Sequence, residues 1–240
     1  MADTRCSIHR YDERMTDWQW IIAMVAAYLL GSVPVGLLIG LAKGVDIRHH
    51  GSLNIGATNC GRVLGRRFGV LCFIIDFAKG AVPVFMAGCW FGWVRAFSAT
   101  AADPLSAGEA WAWLGIALMP VLGHVFPIWL RFRGGKGMAT TLGVLLGVWP
   151  FLTLPLVGTV ATWLVVAAAF RYVSLASMIA AGMTPMYFLI ASGVWDWSLD
   201  WSWPFVALTV AMALLIVTRH RSNVRRLRRG QEAKIGQPDP

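Results

Sequence analysis

The stretch MATTLGVLLGVWPFLTLPLVGTVATWLVVAAAF, residues 138–170, decides how often this chain crosses a bilayer. It carries no charge and is longer than the roughly 20 apolar residues that span a ~30 Å hydrocarbon core as a helix. Pro150 and Pro155 interrupt its centre, and each removes a backbone donor. One tilted helix and two shorter ones both fit this pattern. Positive charge chooses between them. The loop 43–67 holds Lys43, Arg48, Arg62, Arg66 and Arg67, and the tail holds Arg219, Arg221, Arg225, Arg226, Arg228, Arg229 and Lys234. Positive-inside bias wants both in the cytoplasm, which seven spans achieve and six do not.

Working outward, apolar runs lie at 18–42, 68–94, 111–130, 138–149, 151–170, 173–195 and 203–218. The chain is 57% hydrophobic and 14% charged over 240 residues, with mean hydropathy +0.61. That composition excludes an ordinary soluble domain. Only helices or closed barrels satisfy the backbone in lipid, and no alternating ten-residue pattern suggests a barrel. The expectation is an all-α, polytopic membrane protein of about seven helices, with its amino terminus outside and its carboxyl terminus cytoplasmic. Three parts follow: a periplasmic tail at 1–17, one helical catalytic domain at 18–218 with cytoplasmic loops 43–67 and 131–137, and a basic cytoplasmic segment at 219–240. Sixteen basic residues then fall on inner segments and four (Arg5, Arg10, Arg14, Arg95) on outer ones.

The segment 138–149 would rise only about 18 Å at 1.5 Å per residue, so it reads as a short or inclined helix sheltered by neighbours. The linker 95–110 and the Trp-rich stretch 195–203 read as outer surface connections, the latter an aromatic belt. Residues 230–240 look disordered. The first apolar run follows a mixed-charge tail and exceeds a signal-peptide core, so it is expected to stay as an anchor. Cys6, Cys60, Cys72 and Cys89 lack paired spacing, which supports neither a zinc site nor a disulfide framework. They read as buried thiols. The net charge of +9 gathers at span ends instead of forming a soluble basic face, so nucleic acid is not the expected partner.

Polar chemistry concentrates in three places. DIRHHGSLNIGATNCGRVLG (46–65) alternates glycines with Ser52, Asn54, Thr58 and Asn59 before Arg62. Glycine admits backbone N–H groups to an anion, hydroxyls and amides add donors, and arginine adds a bidentate fork. The plainer alternative is a polar connector. RFRGGKGMATTLG (131–143) runs from a basic loop into a helix, placing Gly134, Gly135, Lys136 and Gly137 near free N–H groups and a positive dipole end. It is not a nucleotide P-loop, because Gly137 replaces the required Ser or Thr. A snorkelling lysine would produce the same pattern. RHRSNVRRLRRGQE (219–232) puts His220 and Asn223 three apart on one face if the last helix continues. A lipid-contacting basic tail is the alternative there, and it suits the outer arginines. Asp76 and Lys79, at i and i+3 within a span, read as a structural ion pair, and His124 as a packed hydrogen-bonding residue.

These segments resemble the acyl-phosphate-dependent glycerol-3-phosphate acyltransferases, the PlsY family of bacterial inner membranes. The resemblance is carried in order by GSVPVGLLIG (31–40), DIRHHGSLNIGATN (46–59), FAKGAVPV (77–84), GHVFPIWLRFRGGKG (123–137), RYVSLAS (171–177) and RHRSNVRRLRRGQE (219–232). It implies a cytoplasm-facing site that transfers the acyl chain of acyl phosphate to the 1-hydroxyl of sn-glycerol 3-phosphate. The products are lysophosphatidic acid and inorganic phosphate. Carried residue by residue, catalytic roles fall on Ser52, Arg62, Lys136, His220 and Asn223. Substrate contacts fall on Asn54, Thr58, Asn59, Gly134, Gly135 and Gly137, and Glu232 is structural. No cofactor or metal is implied, and membrane lipids are the surrounding partner. Leu53 stands where the family has glycine, which bears on the local turn.

Acyl phosphate is already activated, so such a site has to position a hydroxyl, neutralise phosphate and stabilise an oxyanion. No HxxxxD motif occurs, which leaves His220 or the acceptor's own phosphate, with a second pKa near ~6, to take the proton. A transporter of small phosphorylated anions is the competing class. Such proteins bind near the midplane through broken helices, whereas the donors here gather at one edge.

Overall fold

In the computed structural model, residues 17–94 and 105–237 are described. The amino-terminal tail and most of the outer linker at 95–110, with Cys6, Arg5, Arg10, Arg14 and Arg95, lie outside them. Ten α-helices occur among the described residues. In chain order they are α1 (Asp17–Ser32), α2 (Val35–Leu41), α3 (Ala57–Leu64), α4 (Arg66–Trp90), α5 (Ala107–Val125), α6 (Met138–Gly147), α7 (Thr153–Phe170), α8 (Val173–Val194), α9 (Leu199–Arg219) and α10 (Arg221–Arg228). Six helical stretches are long and apolar enough to cross a membrane: 18–41, 66–90, 107–130, 153–170, 173–194 and 199–219. Many large apolar side chains on them, such as Ile21, Ile74, Val165 and Leu214, are exposed, as a lipid-facing surface requires.

The first run is broken between α1 and α2 at Val33-Pro34, because proline has no N–H to continue the ladder. The doubtful stretch 138–170 divides as the two prolines suggest. Its first part, α6, is only ten residues long, about 15 Å. Thr140, Thr141, Leu142, Gly143, Val144, Leu145 and Gly147 are all buried, so neighbouring helices and not lipid enclose it. The approach of α4 to α6 is backbone-close: a Cβ on Gly143 would stand 2.0 Å from Phe77 O, and one on Gly80 2.2 Å from Thr140 O.

At one end of the bundle, Phe151, just past α6, packs 5.4 Å from Trp197, 5.6 Å from Trp201 and 5.2 Å from Phe205. Trp113 of α5 meets the same ring edge-on at 6.2 Å. This cluster corrects the reading of 195–203 as a surface belt at Trp197 and Trp201 only, since Trp195 and Trp203 are exposed as expected. Trp197 is 5% exposed, and α9 begins at Leu199, capped by the Ser198 hydroxyl on Asp200 N. Facing aromatic partners cover these two rings. The helix α5 likewise starts earlier than expected, at Ala107, behind a Ser106–Glu109 capping box.

The carboxyl-terminal segment is also ordered beyond expectation. Ile235 N donates to Arg171 O at 2.7 Å, and Arg171 Nη2 donates back to Ile235 O at 2.9 Å. The tail is thereby docked on the α7–α8 turn at Ile235. Cys60 and Cys72 are buried thiols as expected, whereas Cys89 is exposed near the end of α4.

Candidate active site

The loop between α2 and α3 is built around one buried amide. Asn59, 1% exposed, accepts at Oδ1 from Ser52 N (2.9 Å). Its Nδ2 donates to Ile47 O (2.9 Å), Asn54 O (2.8 Å) and His50 O (3.1 Å). Asn54 Oδ1 closes a smaller turn by accepting from Gly56 N at 2.9 Å. Asn59 was expected to contact substrate; its polar atoms instead hold the loop. Leu53, at the tip, keeps the turn that a glycine would favour by taking φ +58°, and it stays 63% exposed. Upstream, Asp46 caps the short helical turn 47–49 and pairs with Arg48 Nη2 at 2.6 Å, which holds its carboxyl below the usual range.

The second loop folds back on the end of α5. Gly134 N donates to Val125 O (3.1 Å) and Gly135 N to His124 O (3.0 Å). Gly137 then caps α6 at φ +85°, a conformation that suits glycine. Lys136 is thus delivered just ahead of the N-cap of a buried helix. From the third segment, Arg219 Nη2 reaches Gly134 O at 3.3 Å while its guanidinium lies 5.6 Å from the Phe126 ring.

All three segments border one cavity of about 480 Å³, lined by Ser52 and Asn54, by Phe126 and Lys136, and by Leu215, Thr218, Arg219, Arg221, Ser222, Arg225 and Arg226. Burial lowers the Lys136 ammonium to about 8, with Arg226, Arg62 and Arg219 adding to the fall and Glu232 opposing it. The cavity is therefore short of negative charge, and an anion entering it would relieve that.

His220 sits where α9 passes into α10 and is 3% exposed. Its Nδ1 lies 2.7 Å from Ile216 O, a group that only accepts, so Nδ1 carries the proton and Nε2 the lone pair. Burial, then the Lys136 charge, lowers its pKa to about 4. Asn223, also buried, donates to Glu232 Oε1 at 2.7 Å, and Arg226 Nε donates to Glu232 Oε2 at 2.7 Å. Ser174 of α8 adds a third bond to the same carboxylate. Burial pushes Glu232 up, but the donors Ser174, Asn223 and Arg226 together hold it below its ordinary value.

Of the expected site residues, Ser52, Asn54 and Lys136 line the cavity. Arg62 acts on Lys136 through its charge. His220 and Asn223 lie on the segment that supplies the cavity arginines, and Thr58 is exposed on the first turn of α3, outside the lining. The arginines at 219, 221, 225 and 226 also line the cavity, whereas the sequence reading singled out only His220 and Asn223 from this segment. A signal for two of them existed: 219 and 226 fall with 215, 218 and 222 at the spacing of one helical stripe.

Residues 21–230 match the profile of the glycerol-3-phosphate acyltransferase family. The chain belongs to that family. It is 42% identical to a glycerol-3-phosphate acyltransferase of Geotalea daltonii over 212 residues, covering 88% of this chain and 95% of the relative. A glycerol-3-phosphate acyltransferase of Thermosynechococcus vestitus is 42% identical over 219 residues, covering 90% and 94%. The crystal structure of PlsY (YgiH), an integral membrane glycerol 3-phosphate acyltransferase, in its glycerol 3-phosphate form is similar with a TM-score of 0.76 and 35% identity, covering 91% of this chain and 96% of that one. Its lysophosphatidic acid form gives 0.73 and 34%, covering 90% and 95%. The chain is accordingly an all-helical, multi-pass membrane acyltransferase.

Proposed function

We propose that this acyltransferase moves the acyl chain of acyl phosphate to the 1-hydroxyl of sn-glycerol 3-phosphate, releasing lysophosphatidic acid and inorganic phosphate. The observation that carries this reading is the convergence of Ser52, Asn54, Lys136 and the Arg219–Arg226 stripe on one cavity. The hydroxyl oxygen attacks the acyl carbonyl carbon, the bond from that carbon to the phosphate oxygen breaks, and the hydroxyl proton goes to a base. Lys136 with the cavity arginines neutralises phosphate charge. Ser52 and Asn54 orient the acceptor, and Asn59 acts through them by holding their loop. Asn223 and Glu232 keep Arg226 aimed at the cavity. With a pKa of about 4, His220 is a weak proton acceptor at neutral pH. A substrate phosphate, with its second pKa near ~6, is the better base.

Seven crossings are part of this reading. Loop 131–137 and the tail share the cavity, so an even number of crossings separates them, and α6, α7, α8 and α9 provide four. The contact of Phe151 with the α8–α9 turn supports α6 as a crossing helix despite its length. Positive-inside bias then puts the cavity on the cytoplasmic side of the inner membrane and the amino terminus outside. The test is phosphate release from acyl phosphate by the detergent-purified chain. Release is expected to depend on glycerol 3-phosphate and to fall about 10²- to 10³-fold in Lys136→Ala, the loss typical of one transition-state donor. Release that ignores glycerol 3-phosphate, or a folded Lys136→Ala with normal turnover, sinks the proposal, and uptake only into sealed vesicles would indicate a carrier.

A further inference from the structure

Asp76, Lys79 and His124 are 2%, 9% and 5% exposed, and none of them lines the cavity. Ionisable groups inside a membrane protein are costly and need an explanation. Lys79 Nζ lies 2.8 Å from Asp76 Oδ1 and donates to Val33 O, at the α1–α2 break, across 3.0 Å. The same Asp76 oxygen is 3.6 Å from His124 Nδ1, close but longer than a hydrogen bond. The trio therefore joins the proline break, α4 and α5.

Its contact toward the site is through His124. The carbonyl of that residue receives Gly135 N, and a Cβ built on Gly135 would stand 2.1 Å from its Nε2. Gly135 lies flat on the histidine ring edge, and Lys136 is the next residue. From the other side Arg219 holds Gly134 O. Neither His124 Nδ1 nor Asp76 Oδ1 has a hydrogen-bond partner among the described residues, so the ring is placed by burial, by the adjacent Lys79–Asp76 pair and by the packing of Gly135 against Nε2.

We propose that Lys79, Asp76 and His124 are positioning residues for acyl transfer: they fix the His124 ring as the surface on which Gly135 rests, and so set the depth and orientation of Lys136. The inference rests on Lys136 as the phosphate-binding cation.

The test uses the full chain in detergent, with folding followed by thermal unfolding and kinetics by phosphate release. Gly135→Ala should raise the KM for glycerol 3-phosphate at least tenfold. His124→Asn keeps a polar atom beside Asp76 but removes the ring edge, so adding it to Gly135→Ala should recover most of that loss. His124→Asn alone should lower kcat/KM about tenfold and move the alkaline limb of its pH profile upward, because a loosened loop lets water reach Lys136. Asp76→Asn combined with Lys79→Met removes both buried charges together, which spares the fold an unpaired ion, and should shift the same limb. An unmoved alkaline limb in the folded His124→Asn and Asp76→Asn/Lys79→Met variants overturns the proposal. So does a Gly135→Ala/His124→Asn double variant no better than Gly135→Ala. Normal activity of Lys136→Ala would instead remove the phosphate assignment, whatever the trio does.

Discussion

Asn223 and Glu232 are joined by a 2.7 Å hydrogen bond from Nδ2 to Oε1, and through it the segment that follows α10 is fastened to the helix that carries Arg221, Arg225 and Arg226. The same carboxylate binds Arg226 and Ser174, so it ties α10 to α8. Glu232→Ala leaves three donors without their acceptor. It is expected to lower stability by about 2 kcal/mol and kcat/KM at least tenfold, read by thermal unfolding and phosphate release. Glu232→Gln, which keeps one oxygen acceptor, should be milder on both.

The pH dependence follows from Lys136. Phosphate binding wants the substrate dianion, formed above a pKa near ~6, and a protonated Lys136, whose pKa is about 8. The sign is fixed: kcat/KM for glycerol 3-phosphate rises through the first value and falls above the second. Lys136→Arg should carry the alkaline fall well upward, since a guanidinium stays charged. An alkaline limb at the same pH in both proteins would show that another group titrates there.

Leu53 occupies a left-handed conformation at φ +58°. For a residue with a Cβ this is unfavourable by about 1–2 kcal/mol, partly offset in a glycine variant by the greater freedom of its unfolded chain. Leu53→Gly is expected to raise stability by roughly 0.5 kcal/mol with catalysis retained. A lower melting temperature would show that the exposed leucine makes a favourable contact with its surroundings.

Asn59 and Ser52 separate two ways of losing activity. Asn59→Ala removes the partner of Ser52 N and of three carbonyls, so turnover and thermal stability should fall together, stability by about 2 kcal/mol. Ser52→Ala should lower turnover about 10²-fold while leaving the melting curve close to that of the parent. Equal destabilisation by the two would contradict the division of roles.

Much of this was legible in the sequence because helical membrane proteins write their fold in apolar runs and their chemistry in the polar residues between them. Lys136 was readable as a candidate because a lysine among glycines at a helix start offers an anion both a cation and free backbone N–H groups. Asn59 was not, since spacing alone does not distinguish an amide that meets a ligand from one that meets carbonyls of its own loop. The tail arginines were ambiguous for a similar reason: a basic stripe at a membrane edge suits lipid headgroups and a phosphate cavity equally, and only the fold-back of residues 131–137 brings a wall opposite them. Trp197 and Trp201 looked interfacial because their partner, Phe151, lies some 50 residues earlier in the chain.

The hairpin that pairs Gly135 with His124 returns the chain to the last turn of α5 before α6 begins. On the proposed function, chemistry at Lys136 takes place level with that turn and not at the tip of a loop. A small phosphate monoester would then come to it from water and a fatty tail sideways between the helices, so that the ester forms where the two routes meet. The product can then leave by lateral diffusion, with no lift out of the bilayer.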